Sequence, residues 1–454
     1  MTCLSAAPIF LSNLKETKSS SSSLVMSPSQ PMTIAIVGAG IGGITLAIAI
    51  SKHNPDLQLT LFESRSEFSE IGAGVGFGPN ATQAMRLISP EVEAVHDKVK
   101  TPNLWPEKDH IWYDLRYGTG PQDGEMIGEI EAKGGFRHCG ASRAHFLDGL
   151  VGLIPETVKV QFGKKVIDVT ANDQDGKLRV VFDDGEVFTA DAVVGCDGIR
   201  SACRKILLGP DDESAKAVYS GKYAYRKVVD MKDAVAAVGT EVENRTIYSG
   251  RGGHLLMFPI RAGKALNIVV FRDSDGRPWT QHQWVIPSTR EELLKDFEGW
   301  GEKPMKILEL MDSPDKWALF DHLPAPTYSK GNFCLLGDAA HATTPHSGAG
   351  AGFAIEDAHL LSGLLASENI KSVEDIKYAF RAYDEVRRPR SQELVRRSRR
   401  QGMILDLQKP DGGLVDGEEL RISMAKNQDW VWEIDLSQML EQGTALFRTY
   451  PRSS

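Results

Sequence analysis

The chain has 454 residues, 41% hydrophobic and 25% charged, and its 52 basic and 61 acidic residues leave a formal net charge of −9. That length exceeds one simple core and predicts two closely packed domains. The acidic balance argues against nucleic acid or anionic membrane as a main partner, and no apolar run reaches the roughly 18–20 residues of a membrane span. The five cysteines, Cys3, Cys139, Cys196, Cys203 and Cys334, show no C-x-x-C spacing. They read as reduced thiols of a cytoplasmic protein, with no disulfide frame and no metal site.

Residues 1–31, with the serine run 19–23, read as a disordered leader. TIAIVGAGIGG (33–43) follows, with Gly38, Gly40 and Gly43 in the order G-x-G-x-x-G between a β-branched run and a helix-like run. A second apolar run, 57–62, ends in Glu63, twenty residues after Gly43. This strand–turn–helix–strand–acid pattern is that of a dinucleotide site: Gly38 for the turn, Gly40 for backbone approach to a pyrophosphate, Gly43 for helix–strand packing, and Glu63 for a ribose. The glycine-dense segment 71–80 has no regular period and reads as a loop against a flat or bulky ligand, with a helix over 81–88. Residues 101–135 read as strands and loops. SRAHFLDGLVGL (142–153) is an amphipathic helix with Ser142 as N-cap. The turn 183–185 within 178–188 predicts a hairpin, and 191–195 a short buried strand.

From 220 to 330 the character changes. Segments 222–229, 245–248, 254–259 and 265–272 alternate like strands of an antiparallel sheet, with a turn at 261–264. Residues 333–336 form another buried strand, and helices are predicted over 351–367 and 373–403. The second of these carries Arg387, Arg388, Arg390, Arg396, Arg397, Arg399 and Arg400 and reads as a solvated or domain-bridging face rather than a polyanion site.

Two further motifs stand at strand ends. Asp338, in GDAAH, can hold sugar or ribityl hydroxyls, and the glycine-rich 345–352 loop opens a helix whose N-terminus favours negative charge. GCDGIRS (195–201) places Asp197 and Gly198 after the 191–195 strand.

Together, G-x-G-x-x-G with Glu63, GCDGIRS and LLGDAAHATTPHSGAGAGFAIEDA resemble the three fingerprints of the single-component (class A) FAD-dependent aromatic monooxygenases, the para-hydroxybenzoate hydroxylase-type family, and among them the salicylate hydroxylase-like branch. The resemblance spans about residues 32–400. It implies an α/β fold, with a Rossmann-like FAD-binding domain (32–210 and 331–400, with substrate-side strands around 101–135), an inserted antiparallel-sheet substrate domain (211–330) and a C-terminal helical extension (401–454). It implies FAD on Gly38, Gly40, Gly43 and Glu63, with Gly76, Arg143, Asp197, Asp338, Gly350 and Ala351 around the cofactor. NADH or NADPH would dock transiently, since no second dinucleotide fingerprint exists. The implied reaction hydroxylates a small phenolic substrate with O2 through a C4a-hydroperoxyflavin, salicylate to catechol with decarboxylation being the specific expectation, in a monomer or homodimer. The alternatives are a larger aromatic or terpenoid-linked substrate, or a non-oxygenating FAD reductase.

For catalysis, the resemblance points to Arg226 in KYAYRKVV as anchor of a phenolate or carboxylate; the alternative is a surface arginine paired with an acid. A tyrosine expected about thirty residues on is replaced by Phe258 in HLLMFPI, which cannot donate a hydrogen bond. His254 shares the Phe258 face and is either a polar substitute or an exposed strand-end histidine. His341 and His346 read as structural neighbours of the flavin loop, and Tyr223 and Tyr225 as core.

Overall fold

The computed structural model describes residues 31–68, 74–137, 139–172 and 176–451. The leader up to residue 30, Cys3 and residues 71–73 lie outside the described residues. Cys139, Cys196, Cys203 and Cys334 are free thiols.

The short β-branched runs are buried on both faces, which suits a parallel sheet under helices. Thr33–Val37 pairs in parallel with Gln58–Phe62 on one side and Ala192–Gly195 on the other. Ala192–Gly195 pairs in turn with Phe333–Leu335. Lys159–Gln161 and the antiparallel Ser329–Lys330 close the two edges of this six-stranded sheet. Gly38, Cys196-Asp197 and Gly337-Asp338 thereby emerge side by side at the carboxyl edge of neighbouring strands, where α/β sheets hold ligands. The Ser142 hydroxyl caps the helix Arg143–Val151 as predicted, and Leu178–Phe182 with Val187–Ala190 form the expected hairpin.

The second large sheet has eight strands, in the order Val285–Pro287, Asp315–His322, Ala217–Asp230, Ala265–Asp273, Gly253–Ile260, Thr246–Gly250, Ile111–Tyr117, Met126–Glu131. All neighbours run antiparallel except Thr246–Gly250 and Ile111–Tyr117. Alternation sorts the side chains. Tyr223 and Tyr225 go to the back face, where both hydroxyls donate to Asp296 Oδ2 at 2.7 Å among Leu255, Met257, Ile268 and Val270. The front face carries three cross-strand rows: Ala224–Phe271–His254, Arg226–Val269–Leu256 and Val228–Asn267–Phe258.

The helix Val373–Leu405 runs through Pro389 and starts in a Ser372/Asp375 capping box. The expectation of a solvated or bridging face holds for only part of it. Arg399 pairs with Asp321 of the large sheet, which is a bridge. Arg387, however, is fully buried. Its Nε donates to Asp357 Oδ1 and its Nη1 to Glu356 Oε2, both at 2.7 Å, with both acids on the helix Gly350–Leu364. Arg390 and Asn80 also bond Glu356, and His341 Nε2 lies 2.6 Å from Asp357 Oδ2. Burial alone would raise the Asp357 carboxyl, but His341 and Arg387 override it and hold it below the ordinary aspartate range. The sign follows: this stabilisation is complete at neutral pH and is lost only as pH falls through that depressed value. Arg387→Met removes the cation shared by two buried carboxylates, leaving Glu356 to Arg390 and Asp357 to His341, and is expected to cost about 3–5 kcal/mol, checked by denaturant unfolding of the FAD-loaded protein; a loss below about 1 kcal/mol would remove the network from this role.

Candidate functional site

Two cavities meet at the carboxyl edge of the parallel sheet, sharing Gly40, Cys196 and Gly198 as wall. The first, about 370 Å³, is bordered by Gly38, Ala39, Glu63, Arg65 and Asp197. Gly38 has φ +103°, and a Cβ there would overlap the Cys196 carbonyl; one on Gly43 would overlap the Gly38 carbonyl, whereas Gly40 faces open space. Glu63 Oε2 accepts from Ala39 N–H at 3.0 Å and Oε1 from Arg65 N–H at 2.9 Å. Asp197 spends its carboxylate locally, accepting from Ala202 N–H at 2.7 Å and Cys203 N–H at 3.0 Å, so it caps the helix Ala202–Leu208 from the cavity wall.

The second cavity, about 290 Å³, has Asp338, Gly350, Ala351, Arg143 and Gly76 in its walls. Asp338 is exposed there, and the bend delivering it is held by Gly337 N–H donating to Asp357 Oδ2 at 3.0 Å. Gly350 opens the helix Gly350–Leu364. Gly76 belongs to the strand Gly74–Phe77, not to a loop, because its backbone pairs with Cys139–Ser142. An elongated dinucleotide fits these residues. Backbone is open at Gly40, the Glu63 carboxylate stands in one cavity, and a second carboxylate and a helix N-terminus stand in the other.

The large sheet's front face roofs the second cavity with Arg226, Leu256, Phe258, Asn267, Val269 and Phe271. Arg226 has no acidic partner among the described residues; its Nε is unpartnered and its guanidinium lies 4.8 Å from the Trp317 ring centre. Burial, then the Arg143 charge, push its pKa down to about 10. Phe258 is packed against Gly74 and Gly140. His254 keeps the Phe258 face, as parity predicted, but is neither exposed nor in the cavity wall: it is 1% exposed, stacked on Phe271, with Nδ1 2.6 Å from Asp406 Oδ1. His346 is buried beside it, 5.2 Å between ring centres, with both ring nitrogens unpartnered. Burial lowers the pKa of both histidines.

Residues 155–398 match the FAD binding domain family. The chain is 40% identical to a 6-methylsalicylate 1-monooxygenase of Aspergillus terreus, over 93% of this chain and 94% of that one. The chain belongs to the FAD-dependent monooxygenases. A salicylate hydroxylase of Pseudomonas putida is 35% identical over 91% of the chain and 95% of its own length. The solved structure of a salicylate hydroxylase substrate complex superposes with a TM-score of 0.80 at 31% identity, over 91% of this chain and 98% of that one. The monooxygenase thus has the α/β fold expected, with an FAD-binding part, an antiparallel-sheet part and C-terminal helices. Among the described residues, no helix is long and apolar enough to cross a membrane.

Every FAD-side residue singled out in the sequence lines one of the two cavities, except Gly43, which packs beneath Gly38. What sequence reasoning missed is Arg245, with Asn267, Trp112 and Tyr113, all in the monooxygenase's second cavity. Arg245 was visible as the start of a strand, but only the hairpin register brings it opposite Phe258.

Asp338→Ala is expected to weaken FAD retention about tenfold, the worth of a lost hydrogen bond to a charged group, measured by flavin fluorescence after ultrafiltration; wild-type retention would misplace this strand end. The buried neutral His346 and His254 must protonate to unfold in acid. Stability is therefore expected to fall as pH drops below about 6.5, where the unfolded chain binds more protons. In His346→Leu the unfolding free energy should decline less steeply between about pH 6.5 and 5; an unchanged slope contradicts the assignment.

Proposed function

We propose that this monooxygenase uses NAD(P)H and O2 to hydroxylate a phenolic acid, salicylate or a ring-substituted salicylate, giving the catechol with loss of CO2. Gly38, Gly40 and Gly43 cradle the FAD pyrophosphate, and Glu63 takes the adenosine ribose. Arg143, Asp197 and Asp338 border the middle of the cofactor, and Gly76, Gly350 and Ala351 its ring. The parts 32–210 with 331–400, 211–330 and 401–454 act as FAD-binding domain, substrate domain and helical extension. Bound FAD supplies the redox and oxygen-activating chemistry; the protein supplies position and electrostatics.

The observation that carries the reading is Arg226, a guanidinium without an acidic partner among the described residues, on the cavity face of the sheet. A phenolate is a stronger nucleophile than a phenol, and an adjacent cation favours it. Leu256, Phe258, Val269 and Phe271 give the ring an apolar slot that keeps water away. The names of the relatives support the same substrate class. The rival of a larger natural product needs apolar room behind Phe258, and Gly74, Gly140 and Arg245 crowd that ring.

The overall balance is salicylate, NAD(P)H, O2 and two protons to catechol, CO2, NAD(P)+ and water. The FAD-loaded protein is expected to oxidise NAD(P)H faster with salicylate and to release catechol; neither stimulation nor catechol with any phenolic acid sinks the reading. Arg226→Ala should keep its yellow colour and lose substrate-stimulated turnover by about 100-fold, the size typical of removing a positioned charge-stabilising donor. Loss of FAD instead would place Arg226 at the cofactor.

A further inference from the structure

We propose that Arg245 is the carboxylate-binding residue of the second cavity and sets its preference for aromatic acids over plain phenols. This rests on the reading of the cavity as a substrate site.

The backbone of Arg245 is pinned on both sides. Its N–H donates to Asn103 Oδ1 at 2.9 Å, and its carbonyl accepts from Asp114 N–H at 2.9 Å. It precedes the Thr246↔Met257 pair by one residue, so the antiparallel register sets it opposite Phe258 and extends the Val228–Asn267–Phe258 row by one strand. The side chain is 1% exposed and lines the cavity. Its guanidinium is enclosed by aromatic rings, 5.0 Å from the Phe258 centre, 5.4 Å from Trp112 and 5.5 Å from Tyr113. Nε and Nη1 have no hydrogen-bond partner, and no acid pairs with the group among the described residues.

A buried cation with unpaired donors is costly, and ring faces offset the charge without satisfying the N–H groups. An anion with two planar acceptors removes both deficits, since the guanidinium fork matches a carboxylate bidentately. A second donor lies across Phe258. Asn267 Oδ1 accepts from Gly74 N–H at 3.1 Å, which orients the amide and leaves the buried Nδ2 unpartnered. Phe258 is then an apolar floor between two donors. The departure from tyrosine at 258 fits this arrangement, because Arg245 and Asn267 carry the hydrogen bonding at this end. Arg226 stands three strands away in the adjoining row, roughly 16 Å at the backbone, and lines the cavity from its own strand.

The FAD-loaded enzyme is titrated with benzoate, salicylate and phenol, following the flavin absorbance. Arg245→Gln is expected to weaken benzoate and salicylate by about 10- to 150-fold, the worth of charged hydrogen bonds, and to leave phenol within about twofold with FAD content unchanged. Equal weakening of phenol, unchanged acid binding, or loss of FAD from a folded variant overturns the assignment, as does wild-type enzyme that binds neither acid. Should Arg245→Gln not fold, Arg245→Lys keeps the buried charge but not the fork; about tenfold weaker acid binding with phenol unchanged supports the proposal, and no selective loss overturns it. Wild-type enzyme that binds these acids but hydroxylates none refutes the proposed reaction and leaves the carboxylate site standing.

Discussion

The geometry around Asp338 and the start of the helix Gly350–Leu364 depends on one buried ionic knot. Arg387 spans Glu356 and Asp357, and each acid carries further partners outward. Asp357 accepts from Gly337 N–H and meets His341, fixing the bend that presents Asp338. Glu356 accepts from Asn80 at 2.6 Å, at the start of the helix Pro79–Ile88 that follows the Gly74–Phe77 strand. Arg390 continues from Glu356 to the carbonyls of Trp430 and Val431 on the helix Gly417–Trp432. Desolvating four charges is expensive, and the arrangement is tolerable because nearly every donor and acceptor finds a partner in good geometry. Such a knot has one low-energy arrangement, so the elements tied to it have little freedom to drift.

The cavity itself is built on the opposite plan. Among the described residues, Arg226 and Arg245 keep guanidinium nitrogens without partners, while Glu356 and Asp357 are paired. Orientation fixed in advance costs nothing at the moment a charged ligand arrives, which is what makes preorganised donors effective.

The strand-end motifs were legible because their signals are local. Glycines, an acid and a short apolar run within a few residues define a turn and an edge, and the parallel sheet then aligns three such edges. Parity along the large sheet was legible for the same reason, and it placed His254 with Phe258 and Tyr223 with Tyr225. Partners distant in the chain were not. His254 reads as a possible strand-end residue until Asp406, 152 residues on, comes to its ring. Arg387 reads as one more charge in a basic run, since its acids lie 30 and 31 residues upstream on another helix. Arg245 faces Phe258 through one hairpin register, but its place in the row with Asn267 and Val228 needs the pairing of four strands.

The choice of residue for each charge completes the argument. Two histidines beside the glycine-rich 345–352 loop, His254 and His346, are sealed in the interior, and burial keeps them neutral. The positive charge facing the cavity is carried by arginine, which holds its proton across the physiological range. Even pushed down to about 10, Arg226 stays cationic at neutral pH. The positive charge offered to the cavity is thereby separated from ambient proton activity, because neither arginine changes charge near neutrality.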